Sequence, residues 1–169
     1  MSSPFVQGQI VANDAINFRT LASQHKGYIH PEIYRGLSTA EHLMIVDRVE
    51  GDEVWVFHVD KKPDGCSQPS DGRTLRCSKV PAIELRIWHL QPSDPVKCWT
   101  TARTQCENDH RTQYIPGVFD CQVWVYQCAE LTEPTPSQKT KAELTDRGVN
   151  YMEQAVRLYG YKALAFLAR

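Results

Sequence analysis

Residues 43–60 read LMIVDRVEGDEVWVFHVD, and this segment constrains the fold more than any other. Leu43 to Val49 and Glu53 to Asp60 have the composition of two strands, and Glu50-Gly51-Asp52 between them is turn chemistry. Val54, Val56 and His58 take one face of the second strand, while Trp55, Phe57 and Val59 take the other. A hairpin apolar on both faces has to be covered on both faces by the rest of the chain. With 169 residues, the chain is long enough to do this as one domain spanning 1–169.

The remaining elements follow from periodicity. Residues 1–9 are read as a loose lead-in. Val11, Ala15, Phe18 and Ala22 lie on one helical face, which predicts a first helix from Asn13 to Gln24, stopped at Gly27. Residues 28–42 are read as irregular, with Pro31 able to open a helical turn and Ser38-x-x-Glu41 in the form of a capping box. Residues 61–79 carry two Asp-Gly pairs and two prolines, which predicts a long polar loop of functional character. Ala82–Leu90, Val96–Thr104 and Phe119–Ala129 are read as the third, fourth and fifth strands. Thr132 to Lys139 is read as a linker, and Met152, Val156, Tyr159, Ala163 and Phe166 mark a last helix. Without an alternating strand–helix rhythm, the expected class is α+β. The expected architecture is a mostly antiparallel sheet of about five strands with an N-terminal and a C-terminal helix packed against it.

A formal net charge of −1 gives no global field toward nucleic acid or an acidic membrane. The start, Met1-Ser2-Ser3-Pro4-Phe5, lacks a basic segment followed by an apolar run, so a cytoplasmic location and reduced thiols are expected.

Two cysteines of the polar loop, Cys66 and Cys77, with Cys106 and His110 from another polar turn, supply the ligand types of a tetrahedral zinc site. Their spacing is not that of a tight zinc knuckle, and the simpler expectation is no cofactor, with Cys98, Cys121 and Cys128 as small core residues. His58 and His89 fall in strands, and His30, His42 and His110 near turns. No nucleophile motif surrounds any of them.

Tyr34-Arg35-Gly36-Leu37-Ser38 resembles the aromatic-Arg-Gly segment that opens the nicotinamide-dinucleotide site of some ADP-ribosyltransferases. The resemblance covers five residues and implies that Tyr34 and Arg35 meet a dinucleotide, with a Glu-x-Glu pair on a later strand. No Glu-x-Glu occurs in the chain, so a catalytic glutamate stays unassigned. The competing expectation is a tight turn at Gly36 with Tyr34 packed beneath it.

Lys61, Lys62, Arg73, Arg76 and Lys79 concentrate positive charge along the polar loop, which with a nearby tryptophan could grip single-stranded nucleic acid. Against that stands the neutral balance of the whole chain. On the strand read at 119–129, Gln122, Trp124 and Tyr126 share a face, and large aromatics among polar groups suit a protein-recognition surface. With no catalytic motif present, the function expected is a non-enzymatic protein-interaction module, an inhibitor or adaptor. An enzyme or binder acting on nucleotide or nucleic acid, and a zinc-stabilised binding module, are the alternatives.

Overall fold

The computed structural model describes residues 3–59, 74–108 and 120–149. Its centre is one antiparallel sheet. The hairpin forms as the sequence predicts, with β2 (Glu41–Glu50) turning at Gly51 into β3 (Glu53–Val59). Gly51 sits at φ 59°, a left-handed turn conformation that favours glycine. β1 (Ile10–Asp14) pairs with the first half of β2, β4 (Leu75–Pro81) pairs with β3, and the two-residue β5 (Arg86–Ile87) closes the other edge. The sheet order is β4-β3-β2-β1-β5.

Both faces of the hairpin are covered. On one face Ile10, Ala12, Leu43, Ile45, Phe57 and Val59 pack against α3 (Pro95–Asn108) and α4 (Cys121–Cys128). On the other, Val11, Met44, Val46, Val54 and Val56 pack with Phe5 and Leu85. α1 (Ile16–Gln24) and α2 (Pro31–Ser38) precede the hairpin, and α5 (Pro136–Asp146) follows α4. Ile29, Ile33 and Leu144 join α2 to α5 in a separate apolar cluster.

The α+β class and the five-stranded antiparallel sheet are thus what the chain forms, but several elements differ from their sequence reading. Residues 3–9 are anchored rather than loose: Phe5 is buried, and Gly8 N–H donates to the Val46 carbonyl at 2.9 Å. The first helix, expected from Asn13, begins only at Ile16, because Asn13 and Asp14 finish the strand that Ile10, Val11 and Ala12 bury in the sheet. The end of the expected polar loop is β4, and the expected third strand reduces to a 3₁₀ turn at Ala82–Glu84 and the short β5.

Val96–Thr104 and, of the stretch read at 119–129, Cys121–Cys128 are helical, not extended. Asp94 starts α3: its carboxylate accepts from Lys97 N–H at 3.1 Å, and Pro95 fills the first helical position, where a missing N–H costs nothing. Cys98, Ala102 and Cys106 then repeat every fourth residue on the buried face. Asp120 caps α4 by accepting from Val123 N–H at 2.9 Å. The stretch read as a linker opens α5 through a capping box between Thr135 and Gln138. Ser38 ends α2 instead of capping a helix. The helix read over 152–166 lies outside the described residues. Among the described residues, no helix is long and apolar enough to cross a membrane.

Candidate functional site

A cleft of about 620 Å³ opens between α3 and the β2–β3–β4 side of the sheet. That is the size of a small-ligand or side-chain pocket. Its origin is a register shift in β2. Val46 pairs with Val56 and Arg48 with Trp55, so Asp47 is the extra residue of a bulge. Without the shift Asp47 and Arg48 would alternate across the sheet. With it, both line the cleft on the α3 side.

Asp47 is buried and well supplied with donors. Trp99 Nε1 on α3 donates to Oδ1 at 2.8 Å, and the Arg48 guanidinium donates to Oδ2 at 2.9 Å. The Asp47 backbone carbonyl accepts from Gln7 Nε2 at 3.1 Å, which ties the N-terminal segment to the cleft. Phe57, Leu75 and Trp99 form the apolar wall. Arg48 lies 4.7 Å over the Trp55 ring and Arg103 lies 5.2 Å over the Trp99 ring. Arg103 also pairs with Glu107 at 3.0 Å, one helical turn on.

Two thiols share this cleft. Cys77 faces Asp47 with Sγ 3.9 Å from Oδ2. Burial, then the Asp47 carboxylate, push the Cys77 thiol up to about 11, so it is a protonated donor and not a nucleophile at neutral pH. Cys106 donates to the Arg76 carbonyl at 3.8 Å. Two of the four residues in the zinc reading therefore meet in one place, while Cys66 and His110 lie outside the described residues. Among the described residues, no three His, Cys, Asp or Glu side chains assemble as a metal site.

On the opposite face of the sheet a second polar cluster crosses β2, β3 and β4. His42 Nε2 is 2.9 Å from His58 Nδ1, and His58 Nε2 is 2.8 Å from Ser78 Oγ. The two imidazoles meet edge to face, 85° apart. Burial, then the nearby Arg76 charge, lower His58 to about 4 and keep its ring neutral. Sequence reading missed this cluster. The one available signal was that His42 and His58 stand on either side of the Gly51 turn, which brings them to neighbouring strands.

The residues singled out from the sequence are mostly placed elsewhere. Gln122, Trp124 and Tyr126, expected on an exposed strand face, lie on α4 and are buried, Trp124 at 0% exposure. Trp124 Nε1 donates to Gln105, Tyr126 accepts from Trp88 Nε1, and Gln122 bridges the Glu41 carbonyl to Ser137 N–H. They form core and cannot be a recognition surface. Tyr34, Arg35 and Gly36 lie within α2, neither on a strand nor in a tight turn. Arg35 pairs with Glu143 at 3.5 Å, and a Cβ on Gly36 would stand 3.3 Å from Thr140, so the string serves the α2–α5 contact. Cys98, Cys121 and Cys128 are buried as small core residues, and burial lifts the Cys98 thiol to about 12. Of the basic series, Arg76 and Lys79 lie on β4, while Lys61, Lys62 and Arg73 lie outside the described residues.

No family model, curated protein or solved structure matches this chain.

Proposed function

We propose that this chain is a protein-interaction module, an inhibitor or adaptor, whose cleft beside α3 holds a segment of another protein. The observation that carries the reading is the bulge, which sets Asp47 and Arg48 together under Trp99. Bulges recur where a strand has to re-aim side chains for function. The cleft also combines the residue types that dominate binding hot spots, tryptophan and arginine, around an apolar wall.

Its charge favours one kind of occupant. Two arginines, Arg48 and Arg103, line the cleft beside Asp47 and Glu107, and Asp47 is already engaged by Trp99 and Arg48. The fitting segment places a large apolar side chain on Phe57, Leu75 and Trp99 and a carboxylate beside Arg103. With Cys77 protonated, the cleft holds its occupant without a thiolate to attack it.

The test is selection of displayed random peptides on the full-length protein. Enriched peptides should pair an aromatic or aliphatic residue with a nearby Asp or Glu. Arg103→Glu should weaken them by more than about 1 kcal/mol, as loss of a hot spot does. Peptides without that pairing, or binding that ignores Arg103→Glu and Trp99→Ala alike, would remove the cleft as the docking site.

A further inference from the structure

We propose that Ser78, His58 and His42 form an acyl-transfer centre on the sheet face opposite the cleft, with Ser78 as nucleophile toward carboxylic esters. Two hydrogen bonds in series carry this. A nucleophilic serine needs a base within hydrogen-bond reach, and the base needs a third group to hold its ring. His58 Nε2 stands 2.8 Å from Ser78 Oγ, and His42 Nε2 stands 2.9 Å from His58 Nδ1.

The two hydrogen bonds admit a proton arrangement suited to catalysis, and the proposed centre uses that one. With its proton on Nδ1, His58 donates to His42 Nε2 and presents the Nε2 lone pair to the Ser78 hydroxyl. That is the base-competent tautomer. Burial and the Arg76 charge keep the ring neutral, so its lone pair is available at neutral pH. Each member sits on a different, adjacent strand of the sheet, and paired strands hold such geometry more tightly than a loop does. Ser78 is only partly buried, so its hydroxyl is not sealed in the core.

Arg76 adds the electrostatic component. It pairs with His58 across β3 and β4, and lies two residues from Ser78, on the same face. Its charge is felt at the His58 ring. A guanidinium there can stabilise the oxyanion that forms when Ser78 adds to a carbonyl.

The step balances without a co-reactant other than water. Ser78 Oγ forms a bond to the ester carbonyl carbon, its proton passes to His58 Nε2, and the carbonyl oxygen becomes an anion facing Arg76. Collapse breaks the bond to the alcohol oxygen, which leaves with the proton from His58. Water then adds to the acyl-serine, gives its proton to His58, and the released Ser78 oxygen takes that proton back. The products are an alcohol and a carboxylic acid. Esters fit better than amides. A weakly basic imidazole becomes a strongly acidic imidazolium that readily protonates an alkoxide, but it activates serine less than a carboxylate-supported base does. His42 acts as a positioning residue, since it holds His58 and touches no substrate.

The experiment uses the full chain, a fluorophosphonate probe and p-nitrophenyl acetate. The expected result is phosphonylation at Ser78, located by peptide mass, and ester hydrolysis lost in Ser78→Ala with the circular dichroism spectrum retained. His58→Gln should slow labelling about 100-fold. His42→Ala should slow it about tenfold, and His42→Glu, which returns an acceptor to His58 Nδ1, should restore it. A purely structural His42 predicts no such recovery. Absence of label at Ser78 in the wild-type chain, a label that persists at its full rate in folded His58→Gln, or esterase activity surviving in Ser78→Ala would each overturn the assignment.

Discussion

Trp99 Nε1 donates to Asp47 Oδ1 at 2.8 Å, joining α3 to the β2 bulge across 52 residues of sequence. The acceptor is a buried carboxylate, so the bond is charge-assisted and its loss leaves Asp47 short of a donor. Trp99→Phe should destabilise the fold by about 1.5–3 kcal/mol, in the range of hydrogen bonds to charged groups. Urea unfolding followed by circular dichroism measures this. A change within about 0.5 kcal/mol, the range of ordinary surface substitutions, would mean that the bond does not hold the cleft.

Two glycines with the same backbone sign separate strain from contact. Gly8 has φ +84°, and a Cβ there would lie 2.1 Å from the Pro95 carbonyl oxygen. Gly27 has φ +88°, and a Cβ there would meet nothing within 4 Å. Gly27→Ala should cost roughly 1–2 kcal/mol, the left-handed penalty alone. Gly8→Ala should cost at least about 3 kcal/mol, because the N-terminal segment or the start of α3 has to move. Equal thermal shifts for the two would show that the Gly8–Pro95 approach is soft.

How much of this was legible in the sequence depends on the kind of signal. The β2–β3 hairpin was, because alternation and a Gly51 turn specify it locally. α4 was not: Cys121 to Tyr126 are all buried, so the run has no polar face to reveal a helical period. For α3 the signal was present in Ser93-Asp94-Pro95, a helix start, but the threonines and Trp99 that follow read as strand. The cleft depends on a bulge and on a tryptophan 52 residues away, and nothing local announces either. The same holds for Ser78, which meets His58 only because β4 pairs with β3 in one register.

Asp120 joins two helix starts. Its Oδ1 accepts from Val123 N–H at 2.9 Å, and its Oδ2 accepts from Ser137 Oγ at 2.7 Å. Asp120→Ala should therefore cost more than an isolated cap, about 2–3 kcal/mol against the usual 1. Thr135→Ala, which removes the α5 cap alone, should cost about 1 kcal/mol. Asp120→Asn should recover most of the loss because its amide oxygen still caps. Chemical denaturation of the three variants ranks them, and a loss for Asp120→Ala no larger than for Thr135→Ala would detach α5 from this carboxylate.

Thiol chemistry tests the cleft directly. Only the thiolate is alkylated, and burial with the Asp47 carboxylate raises Cys77 to about 11. At pH 8, Cys77 should react with iodoacetamide roughly 100-fold more slowly than an unperturbed thiol. Asp47→Asn removes the carboxylate and should speed the reaction while leaving part of the burial effect. Peptide mapping after timed alkylation reads both rates. A Cys77 that reacts as fast as in urea would place it outside the electrostatic reach of Asp47.

His58 makes stability depend on pH with a definite sign. Its folded value is lowered to about 4 by burial, then by Arg76, while in the unfolded chain it returns to about 6.5. The unfolded state therefore binds the proton first as pH falls. The neutral ring contributes its full share of stability above pH 6.5, loses it as pH drops toward 4, and changes nothing further below that. The total is roughly 3 kcal/mol, and about 1 kcal/mol of it disappears between pH 6.5 and 5.5, above the carboxylate range. The comparison is with His58→Gln, which isolates the contribution of this ring. Urea midpoints across pH 5.5–7.5 should fall more steeply on acidification for the wild-type chain than for the variant. Parallel slopes would mean that His58 is protonated in the folded chain, and the lone pair that faces Ser78 would then be occupied.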